Sequence, residues 1–136
     1  MFQAVVAASI IIAPGPVASF SQNGSQPQDA HDRAFVAWQF KTLRDPDSAN
    51  WRRIKQPFAT TVTLKRGLLG KKEWSGELAC YTLNAKNAYG AYVGYTPHAV
   101  LITSQSEVHV WEGMSQSEDQ STYRSWGQQI IDNYCR

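Results

Sequence analysis

The sequence predicts an α+β domain: an antiparallel β-meander of about four strands, with an N-terminal and a C-terminal helix on one face. Three observations carry that expectation. Between Phe58 and Lys65 apolar and polar residues alternate with the period of a strand. Further extended segments follow as far as Trp111, separated by Gly- and Asn-rich turns. At either end, apolar residues return to helical spacing: Val36, Phe40 and Leu43 before the strands, with Phe35 and Trp38 widening the stripe, and Tyr123, Trp126, Ile130 and Tyr134 after them.

The chain has 136 residues, room for one domain. Its first nineteen differ in kind from the rest. Ala4 to Ala13 is an uncharged apolar run too short to span a bilayer, followed by Pro14-Gly15-Pro16 and the small residues Val17-Ala18-Ser19. That order predicts a signal peptide over 1–19, cut before Phe20, although the terminal amine alone supplies its positive end. A retained apolar arm is the competing reading. Residues 20–28 are rich in Ser, Gln, Asn and Gly and read as a flexible leader, which leaves 29–136 as the domain.

The first helix is expected from about Ala30 to Arg44, with Asp29 as its N-cap and Asp32 in its first turn, where a carboxylate complements the helix dipole. Pro46 disfavours a helical Asp45 and ends it. Trp51 and Ile54 are expected to pack beneath the turn that follows, with Arg52, Arg53 and Lys55 facing water. Phe58–Lys65 is the first strand. Residues 66–72 form a basic glycine-containing loop to a second strand over about Glu73–Leu83. The turn Asn84-Ala85-Lys86-Asn87 leads to a third strand, Tyr89–Thr96, which Pro97 interrupts. Ala99–Thr103 resumes extended structure and Glu107–Trp111 alternates again. Ser115-Gln116-Ser117-Glu118 reads as a capping box opening a helix over about Ser117–Tyr134.

Cys80 and Cys135 are the two cysteines, and in an exported domain they are most simply one disulfide. Two free thiols would follow if the signal reading failed. The net charge of +2 is small but uneven: Arg33 to Lys86 holds eleven basic and four acidic residues, and the chain after Lys86 two basic and five acidic. Two oppositely charged faces explain this without a dedicated polyanion site.

Asp45-Pro46-Asp47-Ser48-Ala49 with Arg52 beyond it, and Cys80 ahead of Asn84-Ala85-Lys86-Asn87-Ala88-Tyr89-Gly90-Ala91-Tyr92-Val93-Gly94, resemble a group of small exported proteobacterial proteins, many of them lipoproteins, with no assigned activity. The resemblance implies a compartment and a fold more than a function. This chain lacks a lipidated cysteine and has Tyr81 and Ala91 where glycine is common in that group.

Chemistry-bearing motifs are sparse. His31, His98 and His109 lack the short spacings of paired metal ligands, so neither a metal nor a cofactor is expected. Gly70-Lys71-Lys72 fails the phosphate-loop pattern, because Lys65 stands where its first glycine belongs and no Ser or Thr follows the lysine. Asp45 and Asp47 beside Pro46 suit a helix cap better than a catalytic pair. The candidate binding residues are Lys71, Lys72, Asn84, Lys86, Asn87, Tyr89 and Tyr92, with Lys65, Arg66, Lys71, Lys72 and Lys86 meeting at the hairpin tips as a basic patch. For Asn84 and Asn87 the structural alternative is turn formation.

The expectation is a periplasmic or secreted, non-enzymatic domain that binds an envelope or extracellular protein or an anionic polymer. Nucleic acid is not expected as a partner, nor a membrane-spanning segment in the mature chain. The alternatives are a small hydrolase using His98 or His109 with a carboxylate, and polyanion or nucleic-acid binding by the basic middle.

Overall fold

The computed structural model describes residues 26–65, 67–114 and 126–136. Its elements are α1 (Ala30–Thr42), β1 (Asn50–Lys65), β2 (Lys71–Asn84), β3 (Thr96–Thr103), β4 (Val108–Glu112) and α2 (Trp126–Tyr134). The strands form one sheet in the order β1-β2-β3-β4, each antiparallel to its neighbour. The chain is thus an α+β domain built on a four-stranded meander.

The two helices lie on opposite faces of that sheet, not on one. Successive side chains of a strand point to opposite sides, and along β2 they sort into two cores. Leu78 and Cys80, with Ala99 and Leu101 of β3 and Val62 and Leu64 of β1, pack against Ile130 and Ile131 of α2. Ala79, Tyr81 and Leu83, with Val100 and Trp51, pack against Phe35 of α1. Leu78, Ala79, Cys80 and Tyr81 are all completely buried. An unbroken apolar run of this kind marks a strand covered on both sides.

Asp29 caps α1 as expected: its carboxylate accepts the Asp32 N–H. The buried stripe of the helix is His31, Asp32, Phe35 and Gln39: it shares Phe35 with the expected face, while Phe40 is 60 % exposed. β1 begins eight residues before Phe58, at Asn50, and absorbs Pro57 because it is an edge strand with register shifts between Arg53 and Lys55 and between Lys55 and Phe58. Those shifts turn Ile54 out to solvent and Arg53 inward. The expected strand over Tyr89–Thr96 is a loop, residues 85–95, with a lone bridge between Lys86 and Tyr92. Pro97 is the second residue of β3, paired with Thr82, and its carbonyl accepts the Gly113 N–H. The proposed capping box at 115–118 and the start of the predicted last helix lie outside the described residues.

α2 is held tightly. A β-carbon at Gly127 would sit 1.9 Å from the Glu112 carbonyl oxygen, so only glycine lets the helix approach β4 this closely. Past the helix, Cys135 is disulfide-bonded to Cys80 of β2, with Cα atoms 5.8 Å apart. The bond spans 55 residues, a closure that stabilises the fold by about 4 kcal/mol in the chain-entropy account. The Tyr134 hydroxyl accepts the Thr63 N–H at 3.0 Å and donates to the Thr61 carbonyl at 3.1 Å, along the outer edge of β1.

Candidate functional site

The residues expected to bind divide between the two ends of β2. Lys71 and Lys72 begin the strand and Asn84 ends it. At about 3.3 Å per residue the two ends are roughly 40 Å apart. Lys86 therefore does not join Lys65, Lys71 and Lys72, and the single basic patch expected from the sequence is not formed.

At the Asn84 end, side chains are spent on holding the loop. Asn87 Oδ1 accepts the N–H groups of Tyr89 (2.9 Å) and Ala91 (3.2 Å), and Asn84 Oδ1 accepts that of Gly94 (3.2 Å). The Tyr92 hydroxyl donates to the Ser48 carbonyl, while Ser48 Oγ accepts the Lys86 N–H. Lys86 Nζ stands 5.6 Å from the Tyr92 ring centre, and the Arg52 guanidinium 5.8 Å from that of Tyr95. Both asparagines thus do the work of turn formation. Of the predicted binding residues here, Tyr89 projects freely, at 94 % exposure.

The opposite end is built differently. β1 and β2 pair as far as Lys65 opposite Lys71, whereas β3 leaves β2 at Gly76. The ribbon therefore runs five residues, or about 17 Å, beyond the β3 pairing. Its apex is the 3-10 turn Gly67–Leu69, and Gly67 and Gly70 take positive φ angles of 59° and 91° that favour glycine. Leu68 is fully exposed and Leu69 90 % exposed. Behind them Lys71 pairs with Glu73 at 3.0 Å, and Lys72 Nζ lies 5.1 Å from the Trp74 ring centre. The sequence reading registered the lysines and passed over the leucines; the signal was the apolar pair in Gly67-Leu68-Leu69-Gly70, set in a polar loop.

The three histidines stand in separate settings. His98 is buried against Phe35 and Trp38, its Nδ1–H donates to the Thr96 carbonyl, and burial pushes its pKa down to about 4. It is a neutral core residue. His31 donates from Nε2 to the Glu77 carbonyl at 2.8 Å. His109 stacks on Trp111 and packs against Trp74, 3.6 Å from Glu107. Among the described residues no cluster of three His, Cys, Asp or Glu side chains would hold a metal.

An open groove of about 800 Å³ lies beyond the start of α1, over Ala59, Thr61, Ser75 and Ile102. Of its lining residues, Asp29 is held by Arg53, His31 donates to the Glu77 carbonyl, and the Thr61 and Ser75 hydroxyls hydrogen-bond to each other. Arg53 reaches Asp29 and Asp32 at 2.5 Å, and the Tyr81 hydroxyl donates to Asp32 at 2.7 Å. Arg53 holds the Asp29 carboxyl down at about 2, and burial together with Asp32 pushes the Tyr81 phenol well above its usual range. This network fastens α1 to β1 and β2. No family model matches the chain, and neither a curated protein nor a solved structure matches it.

Proposed function

We propose that the protein is an exported, non-enzymatic docking domain of the bacterial envelope, and that its working surface is the apex of the β1–β2 hairpin. The observation that carries this reading is the pair Leu68 and Leu69, held in full solvent exposure between Lys65 and the lysines 71 and 72 at the end of a projecting ribbon. An apolar pair set out in water has a cost in hydration that a partner would relieve. Export is supported by the apolar run Ala4–Ala13 and by the Cys80–Cys135 disulfide, which suits an oxidising compartment. Among the described residues no helix is long and apolar enough to cross a membrane. The non-enzymatic reading is supported by His31 and His98 being committed to backbone carbonyls and by Asp29 and Asp32 being committed to Arg53, while His109, 3.6 Å from Glu107, is the histidine left beside a carboxylate.

Co-sedimentation with isolated envelopes tests the reading. The wild type is expected to pellet with them, and a Leu68→Ser/Leu69→Ser/Lys71→Ala/Lys72→Ala variant to stay in the supernatant. Equal pelleting of the two, or none by either, would reject the apex as the working surface.

A further inference from the structure

We infer that the hairpin apex docks on an anionic phospholipid surface, with Leu68 and Leu69 entering the boundary of the acyl chains and Lys65, Lys71 and Lys72 lying against the phosphates. This rests on the docking reading above and names the partner of that same surface.

Shape is the first argument. The apex is convex, with both leucines standing clear at the end of a ribbon that outruns β3 by five residues. A convex apolar point can be buried in a protein only where a matching socket exists, whereas a bilayer yields to any such point. Layering is the second. Successive residues along a strand are about 3.3 Å apart, and Lys71 and Lys72 follow Leu69 by two and three residue steps. Trp74, half-buried, comes next behind Lys72. Apolar tip, then cations, then an indole is the order in which a bilayer offers acyl chains, phosphates and headgroup region. Charge is the third. The stretch from Lys65 to Glu73 carries four cationic residues, counting Arg66 in the sequence, against one carboxylate, and that carboxylate is paired with Lys71.

The turn also limits how deep the apex goes. A 3-10 turn with two positive-φ glycines leaves backbone N–H and C=O groups that hydrocarbon cannot satisfy. The apex therefore sits at the interface and does not span.

Flotation with vesicles tests this, using the chain as recovered from an exporting host. All variants share the same N-terminus, so any pull from Ala4–Ala13 is common to them. Vesicles of phosphatidylcholine alone are compared with vesicles of phosphatidylcholine and phosphatidylglycerol. Wild type is expected to float with the anionic vesicles and only weakly with the neutral ones, and to be released by salt. Lys71→Ala/Lys72→Ala should lower partitioning about 30-fold, and Leu68→Ser/Leu69→Ser on the order of 100-fold. The leucine variant should keep the wild-type unfolding midpoint, since neither side chain is buried. Flotation that the leucine variant leaves unchanged would overturn insertion. Loss on removing the lysines but not the leucines would mark a soluble polyanion instead. If wild type ignores anionic vesicles yet pellets with envelopes through the apex, and protease treatment of the envelopes abolishes that, the partner is a protein: the lipid assignment fails and the docking reading stands. If the apex variants change neither assay, both fail.

Discussion

The two ends of β2 both carry polar and aromatic side chains and use them differently. At the Asn84 end, Asn84, Asn87, Tyr92 and Ser48 spend their side-chain hydrogen bonds on backbone groups of the loop and of Ser48, and His98 lies in the crevice beneath. At the Lys71 end the apex leucines lie wholly in solvent. The lesson is that a polar, tyrosine-rich loop can be a structural clasp while a short glycine-bounded turn is the surface left for a partner. Changes at the clasp should move stability, and changes at the apex should move binding alone.

The largest expected effect separates the two cleanly. Cys80→Ala/Cys135→Ala removes the covalent tie four residues from Asn84 and should cost about 4 kcal/mol in urea unfolding, with vesicle flotation of the remaining folded protein unchanged. In the wild type, neither sulfur should be alkylated before reduction and both should be afterwards.

Acid comes second. His98 has its folded pKa depressed to about 4 from an ordinary 6.5. Above pH 6.5 neither state binds the proton and stability is unaffected. As pH falls from 6.5 towards 4 the unfolded chain takes up a proton that the folded one refuses, so stability declines, by about 3 kcal/mol in all. A His98→Phe variant should lack that decline. If it shows the same loss between those pH values, His98 is not its source. The Asp29 carboxyl, depressed to about 2, adds a further loss only between about pH 4 and 2.

Asn87→Ala is third. It strips acceptors from two loop N–H groups and should cost about 1–2 kcal/mol, together with faster amide exchange at Tyr89 and Ala91. The smallest effect is at the apex: Leu68→Ser/Leu69→Ser should leave unfolding within about 0.5 kcal/mol of wild type. A larger shift would mean that the leucines pack on something, and the contrast between the two ends would collapse.

Local chemistry was readable in the sequence. The Asp29 cap, the Cys80–Cys135 pair, the alternation from Phe58 to Lys65 and the four-stranded meander follow from residue type and period. Tertiary placement was harder. The inner stripe of α1 is disguised because His31, Asp32 and Gln39 hold buried positions that an apolar template assigns elsewhere. The side on which each helix lies depends on which half of an unbroken apolar run it covers, and Leu78-Ala79-Cys80-Tyr81 announces two covers without saying which helix takes which. Tyr89–Thr96 has the composition of a strand, but Asn87 folds its own backbone into a turn before pairing can start.

The Tyr134 hydroxyl has a consequence beyond the clasp and the apex. By offering one acceptor and one donor to Thr63 and Thr61, it stands in for the backbone of an absent neighbour along β1, so a sister molecule finds those positions taken. The residue that holds this blocker in place is the next one, Cys135. Opening the sulfur bridge should therefore do more than soften the fold: it should uncover a sticky margin, and the reduced protein should self-associate under conditions where the oxidised one stays single.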